Sequence, residues 1–489
     1  MSNLHRPGKK STGSRLVEVT TGKPTKKIVR TANGAITNQS SYNKVLDMFF
    51  LCGASRNMSE ADIKKVFIEA IAENEELAIK CLFYARDIRG GQGERRFFRI
   101  CLSYLREFYK HIYKKIVKYV PEYGRWDDLF FTTEHLLANR YLIKQGLKEK
   151  NGLLAKWLPR KGKHARLLRE YLNLSPDKYR NKIVSLSNTV EQKMCSKTWS
   201  TIQYPTVPSV AMNKYRNAFL RNDTNRFKAY IESVTKGKKK INASAIYPHT
   251  LVQAMYKGGD KKGIEAQWNA LPDYMAGSND RILPVCDTSY SMNGLPMDVA
   301  IALGVYISER NQGLFNNAFM TFSAQPEMHY IDGSLYDRLN SIKNANAGYN
   351  TNLVATFNLL LSKAVQNNIK QYEMPNKILI ISDMEFDGTG SGVFHEAGIK
   401  QKQSWNEFET NYDSIVNKYK KAGYEMPTLI FWNVNGRVDN VPATKFDRVG
   451  LVSGFSPSIL KSILGGSIYN PVQLMLKTLN SNRYIGISF

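Results

Sequence analysis

Long apolar runs are missing from this sequence. No run of roughly 18 uninterrupted apolar residues occurs in the 489, so no membrane-spanning helix is expected. Cysteine is scarce as well. Cys52, Cys81, Cys101, Cys195 and Cys286 are odd in number, scattered, and never in C-x-x-C spacing. That argues for a reducing, cytoplasmic setting and against a zinc module. The opening MSNLHRPGKKSTGSR has no apolar core, so a secretory leader is not expected. Hydrophobic residues at 43% and charged residues at 23% suit a folded soluble chain. Its length suggests two or three domains.

Acidic residues are in short supply in one part only. Residues 1–280 hold 51 Lys and Arg against 25 Asp and Glu, a balance of +26. Residues 281–489 hold 18 against 17, a balance of +1, within a net charge of +27. A basic excess confined to one part of a chain points to a polyanion partner. Neutralising phosphates releases counterions, so binding of this kind depends on salt. Nucleic acid fits better than a membrane surface, while a solvated basic face is the plain alternative.

Three parts follow from composition. Residues 1–40 carry eight Lys and Arg and one acid among many Thr, Ser and Gly; they read as a mostly disordered basic arm. Residues 41–278 read as helix after helix. In ADIKKVFIEAI, Ile63, Val66, Phe67, Ala70 and Ile71 form one apolar face. Gly90, Gly91 and Gly93 in RGGQGERR permit a sharp reversal between helices. Pro121 and Gly124 in VPEYGRWDDLFF break another, with Asp127 or Asp128 near the next helix start. Helices joined by short turns suggest an α-solenoid with degenerate repeats.

The densest basic stretches lie in this second part. KWLPRKGKHARLLREYL carries Arg160, Lys161, Lys163, His164 and Arg166; TKGKKK carries Lys236, Lys238, Lys239 and Lys240. Trp157, Tyr171, Tyr179, Trp199 and Tyr204 lie close by in sequence. Basic residues mixed with aromatics suit single-stranded RNA, whose bases stack on rings while Lys and Arg hold the backbone. Each aromatic taken singly is better explained as core.

Residues 279–489 alternate apolar runs (RILPVCD, AFMTFS, NKILIISDMEFD, PTLIFWNV) with amphipathic helical stretches. That is the pattern of a parallel sheet covered by helices, a multidomain chain being α in front and α/β behind. Ligands of such sheets bind at the strands' carboxyl ends. Asp287 and Asp383 sit at two such ends. Ser289 and Ser291 in D-T-S-Y-S, and Thr351 in AGYNTNL, add hydroxyls. Two carboxylates with hydroxyls suit Mg²⁺, with Mn²⁺ and Ca²⁺ open, and leave a position for an acidic partner group.

Two catalytic readings fail on residue type. D-T-S resembles an aspartic protease triplet, but that chemistry needs a second like carboxylate in an all-β setting, and ISDMEFD is no second copy. A dehalogenase-like phosphotransferase would want an acid at position 289, which is serine. The chain is therefore not expected to be an enzyme.

Asp287, Ser289 and Ser291, then Thr351, then Asp383, roughly 60 and 30 residues apart, resemble the metal-ion-dependent adhesion site of von Willebrand factor A domains. Asn350 and Asn352 flank Thr351 where glycine or aspartate is more familiar. The resemblance implies a Rossmann-like fold for residues 279–489. With a basic helical part ahead of it, and with FYARDIRGGQGERRFFR, PEYGRWDDL, KWLPRKGK, IYPHTLV, ISDMEFD and LIFWNV, the chain resembles a relative of the TROVE (Ro) family with the same build. That resemblance implies HEAT-like repeats, open or closed into a ring by the A domain. It also implies binding of small non-coding or misfolded RNA, a cytoplasmic place and a monomer. A protein scaffold, binding an acidic partner through the metal, is the alternative.

Overall fold

A computed structural model of the chain describes residues 28–30, 36–322, 326–343, 353–386, 415–442, 448–466 and 470–489. Within the first forty residues, β1 (Ile28–Arg30) and β2 (Ile36–Asn38) pair antiparallel. The rest of the expected basic arm, positions 1–27 and 31–35, lies outside the described residues. Asn38 bridges Val441 through backbone hydrogen bonds of 3.2 and 2.9 Å, so distant chain supplies the pairing that local composition lacks.

From Lys44–Cys52 to Lys261–Asn269 every regular element is helical. The starts follow capping chemistry: Asn43, Ser59, Asn74, Thr132 and Asn151 each accept a backbone N–H from the first turn. The helix Glu60–Glu73 buries Ile63, Val66, Phe67, Ala70 and Ile71, the face read from its spacing. Asp128 sits in the first turn of the 3₁₀ helix Trp126–Leu129 and accepts the Arg125 N–H at 3.0 Å, as expected near a helix start. It is buried and receives Arg86 at 2.7 Å and Arg99 at 2.8 Å, while Thr132 caps the next helix. Gly91 in the glycine-rich connection is required by proximity, because a Cβ there would collide with the Tyr84 carbonyl.

The back half holds a six-stranded sheet. Its strands are β3 (Ile282–Asp287), β4 (Ala318–Phe322), β5 (Met328–Tyr330), β6 (Lys377–Ser382), β7 (Thr428–Asn433) and β8 (Val449–Ser453). The order is β5-β4-β3-β6-β7-β8, all parallel except the β4–β5 edge. β3 and β6 are buried along their whole length, as near-continuous apolar strands require. The chain leaves β3 toward β4 on one side and returns at β6 on the other. The order thus reverses between β3 and β6, where α/β sheets open a crevice for ligands.

The helical run begins and ends on this sheet domain. The helix Lys44–Cys52 packs on β8 and on the helix Pro471–Leu479, and Pro248–Tyr256 packs on Leu295–Arg310. Ser453 Oγ donates to the Phe49 carbonyl and accepts from Gly53 N–H, both at 3.1 Å. Arg483, near the end of the chain, grips buried Asp87 with bonds of 2.8 and 3.1 Å. At the other end, Trp268 donates to Glu309 at 2.7 Å and Gln253 to Asp298 at 2.7 Å. The two ends also meet directly: the Tyr247 hydroxyl donates to the Gln92 carbonyl at 2.8 Å. No helix of the described residues is long and apolar enough to cross a membrane.

Candidate metal crevice and basic grooves

Parallel register sets β3 beside β6, with Cys286 opposite Ile381. The next residues, Asp287 and Ser382, therefore emerge side by side at the carboxyl edge. Ser382 Oγ donates to Asp287 Oδ2 at 2.6 Å, and the Ser289 N–H donates to Asp287 Oδ1 at 2.9 Å. A single 3₁₀ turn over Tyr290–Met292 then brings Ser291 Oγ to 3.1 Å from Ser289 Oγ. Asp383 follows β6 directly and is fully buried. Its Oδ1 accepts the Glu385 N–H at 3.1 Å, and its Oδ2 is buried without a hydrogen-bond partner.

Burial pushes the Asp383 carboxyl up to about 6, and the Asp287 charge adds to that; the Glu385 N–H opposes it. The intervening residue, Met384, holds φ at 64°. A non-glycine residue in that region is strain of the sort kept at functional sites. Asn440 secures the turn, donating to the Met384 carbonyl at 3.0 Å and to Glu385 Oε1 at 3.1 Å. Arg437 lies 3.5 Å from the same Glu385 oxygen.

Asp287, Ser289, Ser291 and Asp383 are therefore brought together, while Thr351 lies outside the described residues. Among the described residues no three His, Cys, Asp or Glu side chains form a metal cage. The crevice is of another kind, two carboxylates with hydroxyls, and an orphaned buried carboxylate oxygen beside a second carboxylate fits a hard divalent cation. Ser382 and Glu385 were missed by motif reading. The signal was present in ISDMEFD: in a strand entering a crevice, the residues beside the key aspartate line it too.

The basic residues divide between two grooves. Arg160 and Lys161 line one of about 1270 Å³, together with Lys156, Arg169, Arg180 and Lys193. Lys236, Lys239 and Lys240 line another of about 930 Å³. Lys163, Arg166 and Lys238 are exposed outside both, and Arg166 lies 3.7 Å from Glu170. His164 is half-buried, with Nε2 3.3 Å from Thr133 Oγ1. Of the neighbouring aromatics, Tyr179 and Tyr204 are core, the reading favoured for each taken singly: both are buried, their hydroxyls spent on the Pro159 carbonyl and on Asp223. Trp157 and Tyr171 stay half-exposed, under Arg125 and Arg140 respectively.

Comparison with known proteins brings family models without assigned function. One described as a domain of unknown function (DUF2828) matches residues 31–111 and 143–279; another (DUF7788) matches 281–481. An uncharacterised protein of Acanthamoeba polyphaga mimivirus is 28% identical over 92% of this chain and 86% of its own length. Among solved structures, the Ro protein of Deinococcus radiodurans matches 90% of this chain and all of its own at 12% identity and a TM-score of 0.36.

Proposed function

We propose that the protein is a non-catalytic RNA-binding protein of Ro type. In this reading a ring of helical repeats holds small non-coding or misfolded RNA, and a von Willebrand A-like domain closes the ring. The observation that carries it is the charge partition expressed on the surface: the +26 balance of residues 1–280 surfaces as Lys and Arg side chains lining two grooves. Long-range attraction to phosphates, with half-exposed rings nearby, is the physics of single-strand binding. Contacts at both ends of the helical run support closure.

The strand-tip crevice has a separate role. Asp383, Asp287, Ser289 and Ser291 would hold a divalent cation, Mg²⁺ first with Mn²⁺ and Ca²⁺ as alternatives, and Thr351 would join them. The cation supplies a positive charge with an open coordination position for a carboxylate or phosphate of a partner. Ser382 and the Ser289 N–H fix the Asp287 carboxylate, and Asn440 holds the turn that carries Asp383. The protein would act in the cytoplasm as a monomer.

RNA crosslinking in cell extract, mapped to peptides, tests the reading. Crosslinks within residues 41–275 are expected, and their absence there would overturn it. The rival, a scaffold that binds an acidic protein through the cation, is favoured by the crevice alone. It predicts a purified protein free of nucleic acid at low salt, read from its ultraviolet absorbance ratio.

A further inference from the structure

The second groove is not made by the helical part alone. Its walls are the end of the helix Thr224–Thr235 with Lys236, Lys239 and Lys240, and the helix Lys261–Asn269 with Lys261 and Lys262. The third side is Ser334 and Tyr336, from the sheet domain. Five lysines from two segments thus converge on one concavity, against Glu232 and Glu265 as its acids. Glu265 is engaged, accepting the Leu335 N–H at 3.0 Å. Ile231, Val234, Ala266 and Ala270 make part of the lining apolar. Tyr336 is 38% exposed, and the Lys261 ammonium stands 3.3 Å from its ring centroid.

We infer that this groove is a single-stranded RNA subsite shared between the two domains, with Tyr336 as the platform for one base. The inference rests on the RNA-binding reading above and adds a residue from the electrically near-neutral half. The Lys261 ammonium lies over one face of that ring, and an incoming base would take its place while the flexible lysine turns to the adjoining phosphate. An acidic peptide would use the lysines but gain little from an aromatic and aliphatic wall. A bare duplex would present phosphates but no unstacked base to Tyr336. Lys239, Lys240 and Lys262 hold the backbone on either side. Because Leu335 is tied to Glu265, the domain contact that builds the groove also aims Tyr336 into it.

The experiment is fluorescence anisotropy of the full chain with a labelled oligouridine, with ultraviolet crosslinks mapped on the same complex. Tyr336→Ala is expected to weaken binding about tenfold, while Tyr336→Phe keeps the ring and restores it. Lys239→Gln with Lys240→Gln should lower the slope of log affinity against log salt by about 1.4, two phosphates at ~0.7 each. A crosslink at Tyr336 completes the expected result. Binding that is intact in Tyr336→Ala, with crosslinks confined to the Arg160 groove, overturns the inference and leaves the RNA reading standing. No binding of oligouridine or of structured RNA by the unaltered chain overturns both. Loss in Tyr336→Ala without recovery in Tyr336→Phe also counts against it, since stacking needs only the ring.

Discussion

At the residue scale, buried charges hold the front half in shape. Asp128 is fully buried and joins Arg86 to Arg99, which lie on consecutive helices. Removing one partner of such a set leaves a guanidinium unpaired in the interior. Asp128→Ala is therefore expected to lower stability by ~3–5 kcal/mol in urea unfolding. His249 is a second such position. It is buried between Tyr247 and Phe455, with ring centroids 5.6 and 5.4 Å away, and burial followed by the Arg56 charge holds its pKa down to about 3. Burial also lowers His135 to about 4. Unfolded histidine titrates near 6.5. Between that value and about 4 the unfolded chain takes up protons that the folded chain refuses. Stability is thus fully present above pH 6.5 and falls as the medium is acidified, by up to ~1.4 kcal/mol per pH unit for each histidine. His249→Phe is expected to flatten that acid limb in melts taken from pH 7 to 4.

At the scale of elements, much was legible. Continuous apolar runs ending in Asp287 and just before Asp383 disclosed β3, β6 and the crevice edge, because a doubly covered strand has to be apolar throughout. The face of Glu60–Glu73 followed from spacing alone. What stayed hidden depends on contacts distant in sequence. β2 needs Val441 to bridge it. β8 is only five residues long and carries Gly450 at its second position, which weakens its strand signal. Asp128 is the capping residue expected, but its second task, pairing Arg86 and Arg99, shows only once they are folded over it. Which of the aromatics are core shows only in the fold, where the Tyr179 and Tyr204 hydroxyls are spent inside. Ser382 and Glu385 join the crevice only through register and through a turn held at positive φ. The crevice itself makes a prediction. In Asp383→Asn the repulsion between two buried carboxylates disappears, so the metal-free protein should melt higher than the unaltered one. The same change should abolish the rise in melting temperature with Mg²⁺, which at a hundredfold excess over Kd corresponds to ~2.7 kcal/mol for the unaltered chain.

At the scale of the whole molecule, the basic helical half and the near-neutral sheet half are joined at both ends of the helical run, so grooves form on the helices and between the halves. Attraction to a polyanion would then be a property of the assembled surface more than of any one motif. The most direct test is the affinity of the intact protein for an unstructured RNA, measured from low to moderate salt. A linear fall of log affinity with log salt is expected, with a slope corresponding to several phosphate contacts at ~0.7 each. Undetectable binding at low salt, or an affinity that does not change with salt, would contradict it.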